Sequence, residues 1–296
     1  EFLEDIVEKN LKCIHYIKTP NDRLPLFNGA TSLNLGQIQK YLDDFKPDNK
    51  ENNLGGLFRM KHKSHFLIVD IDKPPMKKFS KSYQSGPLSF EYFYEGNKII
   101  TNCGYGRKIS KKTQLLSKFT SAQSTLCLND TSVVKFQRNN LINKTFGSTI
   151  SDGFKISETA REESKNDIYV SATHNAYLSR YGYLHKREIK IFKKDGNVRG
   201  TDTLIRKKNV PQGLGFSIRF HIYPGISAIK TISGQSILLQ INQKKSWILI
   251  SDSHSLEIEK GLFMARNKIV NNNCAVIYGN TNQQDTCIKW ELKRSI

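Results

Sequence analysis

Two imidazoles, three phenols and two guanidiniums fall within the seventeen residues from Ser171 to Arg187. They are His174 and His185, Tyr177, Tyr181 and Tyr183, and Arg180 and Arg187. His and Tyr can take or give a proton, and Arg fits a carboxylate through its planar fork. Together these types suit abstraction of a proton next to a carboxylate. That step needs a base beside the acidic carbon and a cation for the charge that develops. A purely structural reading is also open: strand, aromatic-rich loop, strand, with hydrogen-bonded packing residues. His174, Tyr177, His185 and Arg187 are the catalytic candidates.

A second group lies on one segment, Ser217 to Gly225. On a strand, Arg219, His221 and Tyr223 share one face, while Ile218, Phe220 and Ile222 share the other. The polar face is either a glycan platform, with these three as substrate-binding residues, or a solvent face. His62 and His65 stand three apart, which on a strand puts them on opposite faces, so they read as a solvated basic loop or turn and not as a metal pair. There is no G-x-S-x-G, no P-loop and no dinucleotide fingerprint. The five cysteines are scattered without a C-x-x-C pair, so a zinc knuckle or redox motif is not indicated, and Cys103 and Cys127 read as buried free thiols.

The elements that must position these residues follow from periodicity. Residues 1–18 carry apolar residues at helical spacing, and Asn34 to Leu42 reads as a second short helix. The polar stretch 43–56 is the best boundary in the chain. After it come about a dozen short strands separated by turn signals, which imply a large antiparallel sandwich. Phe90, Tyr92 and Tyr94 alternate with Ser89, Glu91 and Phe93, Glu95-Gly96-Asn97 makes a turn, and Lys98 to Thr101 returns. Residues 103–123 and 137–166 are long polar connections, and loops of that length usually carry function. The net charge of +19 points to an anionic partner, either acidic glycan, nucleic acid or membrane surface, unless it only reflects lysines on solvated strand faces. No dense basic block marks a DNA-binding arm, no apolar run spans a bilayer, and the N-terminus lacks signal-peptide features.

Several motifs, taken in order, resemble the C-terminal β-sandwich of the heparinase II/III family of polysaccharide lyases. They are Leu24-Pro25-Leu26-Phe27-Asn28-Gly29, Asp70-Ile71-Asp72-Lys73-Pro74-Pro75, Leu88-Ser89-Phe90-Glu91, Asn102-Cys103-Gly104 and Ser124-Thr125-Leu126. His174 with Tyr177, His185-Lys186-Arg187, and Arg219-Phe220-His221 with Pro224-Gly225 follow. The resemblance implies a mostly β fold, a large antiparallel β-sandwich at 46–296 preceded at 1–45 by the last helices of an (α/α) toroid. It also implies β-elimination on an acidic, uronate-containing polysaccharide, a place in the cell envelope or periplasm, and catalytic residues supplied largely by the toroid. Some family members hold a divalent metal on the sandwich. At those ligand positions this sequence carries Gln84, Asn102 and Gln123, with Ser82 where a further His is usual. Amides are poor zinc ligands, so no zinc cofactor is expected.

Two readings lead. One is the C-terminal part of a lyase that binds or shapes the cleft and does not turn over substrate alone. The other is a non-catalytic glycan-binding or envelope module that has lost the histidines. A basic β-domain binding nucleic acid without specificity is a third.

Overall fold

The apolar spacing at the N-terminus does form a helix, α1 (Phe2–Ile17). Its C-terminal end is pinned to the sheet: the Arg59 amide donates to the Tyr16 hydroxyl at 2.9 Å, and the Arg59 guanidinium donates to the Tyr16 carbonyl and lies over its ring. The expected second helix starts as a 3-10 turn (Leu35–Gln37) and becomes α2 (Gln39–Asp44). The computed structural model describes residues 2–31, 35–44, 53–137, 147–207, 213–265 and 268–295. Most of the 43–56 boundary and part of the 137–166 connection lie outside the described residues.

Strands dominate the remainder. In chain order they begin with β1 (Asn53–Leu54), β2 (Leu57–His62), β3 (His65–Asp70), β4 (Phe90–Tyr94) and β5 (Asn97–Thr101). Helix α3 (Lys111–Leu116) precedes β6 (Leu126–Leu128), β7 (Lys135–Phe136), β8 (Ile150–Asp152), β9 (Ile156–Glu163) and β10 (Asp167–His174). After the single turn α4 (Leu178–Tyr181) come β11 (Tyr183–Phe192), β12 (Val198–Arg206), β13 (Gly215–Ile222), β14 (Ser227–Lys230) and β15 (Ser236–Asn242). The last are β16 (Lys245–Ser251), β17 (Leu256–Ala265), β18 (Lys268–Asn280) and β19 (Thr286–Ser295).

These strands make two large antiparallel sheets, and β7 and β8 pair in a small one of their own. One runs β1-β2-β3-β4-β5-β13-β18-β17 with β6 beside β13; the other runs β14-β15-β16-β19-β12-β11-β10-β9. Their inner faces form one core, in which Trp290 stacks on Phe90 at 5.5 Å and meets Phe220 edge-on. The expected sandwich is therefore the observed fold. The sequence pattern does not mark strands β1, β2, β7, β8, β9 and β14. β9 is an edge strand whose residues are nearly all exposed, so it lacks the buried face that alternation detects. The β4–β5 turn is tighter than expected, since Asn97 already pairs with Tyr94 and only Glu95 and Gly96 turn. Both have positive φ, as a two-residue hairpin requires. Glu91 stays buried there because Lys98 Nζ and Thr101 Oγ1 donate to it at 2.8 and 2.9 Å.

His62 and His65 pair across the β2–β3 turn. The expected solvated character fails for His65, which is buried against Trp247 with Nδ1 2.8 Å from the Tyr92 hydroxyl. Burial lowers its pKa to about 4 and that of His221 to about 4, and it also lowers those of His174 and His185. Unfolded histidines therefore take up protons that the folded ones refuse, and stability is lost as pH falls from about 6.5 toward about 4. Asp70 works the other way. Burial raises its pKa to about 7, so its contribution is full below the ordinary carboxylate pKa and is lost as pH rises through about 7. Urea midpoints are expected to fall on acidification through this window, and to fall more steeply in Asp70→Asn, which lacks the opposing term.

Candidate functional site

Strand β11 places His185 and Arg187 on its inward face, and β10 ends with His174 opposite His185. All three are buried. Asp202 on β12 gathers them. Its carboxylate accepts from His185 Nε2 (2.7 Å), Arg187 Nε (2.7 Å), Arg187 Nη2 (3.0 Å) and Trp290 Nε1 (2.9 Å). The Ala176 amide reaches His174 Nδ1, so His174 Nε2 carries the hydrogen shared with His185 Nδ1 at 3.0 Å. Each ring nitrogen then has one role with both rings neutral. Burial alone would raise the Asp202 pKa, but the Arg187 guanidinium and His185 outweigh it and hold the carboxyl well below the usual range. Tyr177 is also buried; its hydroxyl donates to the Leu126 carbonyl and accepts from the Leu128 amide.

The four catalytic candidates are thus brought together in the core and not on a surface a polysaccharide can reach. Arg187 also crosses between the sheets, where Nη1 donates to the carbonyls of Leu88 and Ser124, each at 2.9 Å. Asp202, the hub, was not singled out in the sequence. Its signal was there: Val198, Gly200, Asp202 and Leu204 alternate as the inward face of a strand.

The expected substrate-binding residues do not form one platform. Arg219 Nη1 pairs with Glu259 at 2.5 Å, and Tyr278 also donates to Glu259. His221 is buried with Nε2 on the Ser121 carbonyl, and Tyr223 packs edge-on against Phe263.

Gln84 and Gln123, two of the three positions that the resemblance marks as metal ligands, do come together. Gln84 and Gln123 both donate Nε2 to the Ser117 carbonyl, at 2.7 and 2.9 Å, and both approach Cys103 Sγ. Gln84 Oε1 accepts from the Gly29 amide, and Asn102 Oδ1 from the Ser124 amide. Burial pushes the Cys103 thiol up to about 12, so it stays protonated. The groups that face one another are N–H donors and a neutral thiol, a set that does not fit a divalent cation.

The loops outside the β13 face build an open groove of about 1680 Å³. Lys81, Arg107, Lys111, Lys118, Lys135 and Arg180 line it, against one carboxylate, Asp130. None of the six cations forms an ion pair among the described residues. A pocket of about 530 Å³ adjoins it and shares Lys135 and Arg180. The charge bias is written locally, since residues 73–90 and 96–129 contain no Asp or Glu. Helix α3 presents Lys111 in its first turn and starts at a reciprocal cap, in which the Thr113 amide donates to Ser110 Oγ and the Ser110 amide to Thr113 Oγ1. Gly106 lets α3 approach β17: a Cβ there would sit 2.6 Å from Met264 Sδ and from the Thr113 carbonyl oxygen. The length of the 103–123 connection points to function, but nothing in its sequence shows the groove it helps build.

The family profile described as "Heparinase II/III-like, C-terminal" matches residues 46–291. The chain belongs to the heparinase II/III-like family. Heparan sulfate lyase HepC of Pedobacter heparinus superposes with a TM-score of 0.72 at 14% identity, over 94% of this chain and 45% of that one. A heparinase III gives a TM-score of 0.75 at 12% identity, over 95% of this chain and 45% of that one. Among curated proteins, FtsZ-localized protein C of Caulobacter vibrioides is 22% identical over 268 residues, 87% of this chain and 46% of its own length. The chain therefore spans just under half the length of these relatives, and it carries the family's C-terminal domain.

Two outcomes are expected at this site. Arg187→Met leaves the Asp202 charge buried and poorly compensated, and should cost about 3–5 kcal/mol of unfolding free energy in urea titrations. Gln84→His with Gln123→His should yield no zinc site by calorimetric titration at neutral pH, because Asn102 and the protonated Cys103 remain.

Proposed function

We propose that this domain is the glycan-binding C-terminal part of a larger heparinase II/III-like protein, and that it holds an acidic, uronate-containing polysaccharide in the basic groove. The observation that carries this reading is the ratio of six cations to one carboxylate along an open groove. Lysines and arginines at that density attract a polyanion and hold its carboxylates or sulfates by charge-assisted hydrogen bonds. The lyase neighbours support a glycan as the polyanion, and heparan sulfate as the first probe. Duplex nucleic acid is the competing polyanion.

In this reading the domain contributes binding, and no proton transfer of the β-elimination falls to His174, Tyr177, His185 or Arg187, whose hydrogen-bonding capacity is spent inside the sandwich. It also works without a resident metal, because amides fill the relevant positions. Those same amides favour a second reading, in which the whole protein is a non-catalytic glycan-binding module of the cell envelope. The curated relative named for its localisation to FtsZ is compatible with such a role.

Heparan sulfate should bind this domain, with affinity falling steeply as salt rises from about 0.05 to about 0.3 M. Lys81→Gln with Lys111→Gln should weaken binding about tenfold or more, and duplex DNA of equal charge should bind less tightly. Equal affinity for DNA, or no response to the double substitution, would sink the reading. Ultraviolet absorbance of unsaturated uronate, followed with the complete protein, separates the lyase from the non-catalytic module.

A further inference from the structure

Lys118 stands apart from the other groove cations because its side chain is buried, although it lines the groove. Its ammonium group donates to the carbonyls of Lys81 and Ser148, each at 2.7 Å, and lies 4.6 Å from the centre of the Phe136 ring. Two strong acceptors and an aromatic face complete the coordination of an ammonium. The three contacts belong to three separate chain segments: the loop before β4, the turn before β8, and β7. The main chain at the same residue adds a fourth tie, as the Ser85 amide donates to the Lys118 carbonyl at 2.9 Å. Close by, the Ile150 amide donates to Ser80 Oγ at 2.9 Å, so the first two segments also meet directly.

We propose that Lys118 is the positioning residue of the groove. Its ammonium clamps the segments that carry Lys81 and Lys135 against the end of α3, so that the exposed cations keep the spacing a polyanion reads. The two large sheets do not depend on this clamp, because Lys118 lies in none of their strands and its ammonium contacts none of them. The inference rests on the groove being the glycan site, and its consequence for chain geometry can be tested separately.

The test compares Lys118→Ala with Lys111→Ala in this protein, using a heparan sulfate oligosaccharide as probe. Both remove one charge, but only the first removes the clamp. Lys118→Ala is expected to lose about tenfold in affinity and Lys111→Ala about threefold or less. Propylammonium, small enough to re-enter the vacated channel, should restore part of the loss in Lys118→Ala, whereas tetramethylammonium, which has no N–H to donate, should not. Amide hydrogen exchange should quicken at Ser85 and Ile150 in Lys118→Ala, with β11 and β12 unchanged. Equal losses in the two variants, no rescue by propylammonium, or unchanged exchange at Ser85 and Ile150 would overturn the proposal. Exchange that quickens across both sheets would overturn it too, making Lys118 a residue of the fold. If wild-type protein binds no glycan at all, the glycan reading fails, and the exchange pattern still decides whether Lys118 clamps the segments.

Discussion

A carboxylate sealed between two sheets stays ionised only if its charge is met, and Asp202 is met by four hydrogen bonds from three side chains. The rest of the structure hangs on how Arg187 spends its remaining donors. One nitrogen reaches across the sandwich to the carbonyls of Leu88 and Ser124, so the charge pair inside one sheet fixes loops attached to the other. Ser124 follows Gln123, whose amide holds the Ser117 carbonyl, and Lys118 follows Ser117. A continuous polar path thus runs from the centre of the core to the floor of the groove. Such a path suits a binding site that must hold its shape against a charged, hydrated ligand.

The amide cluster is a second polar tie in the same part of the fold. Gln84 and Gln123 meet at the Ser117 carbonyl and beside Cys103. Their two amide donors on one carbonyl cross-link the segments that carry them. The amide and thiol side chains of that cluster are neutral, and the groove beside it is lined by five exposed cations and the buried Lys118. Their field is not cancelled locally, because two long acid-free stretches of chain fold onto the same face.

Much of the fold was legible from the sequence. Alternation marks the two faces of β4 and β13, since a strand buried on one side must repeat every second residue. Edge strand β9 escaped because both its faces meet water, and β14 because it is short and mostly exposed. The functional reading was harder. His174, His185 and Arg187 stand out in the sequence by chemical type, and type alone cannot distinguish a proton relay from a buried hydrogen-bond chain. Asp202 decides between them, and it lies far enough along the chain that only strand pairing brings it to them.

By itself, the sequence determined the class of fold, the sign and strength of the charge, and the presence of amides at Gln84 and Gln123. These are local properties: periodicity, composition and residue identity at a motif. Only the tertiary structure decided which cations share a groove, which histidines are sealed away, and what Lys118 holds. Those facts depend on contacts between residues tens of positions apart, such as Lys118 with Lys81 and Ser148. Burial then sets their chemistry, because the same side chain is a proton carrier in water and a neutral packing group in the core.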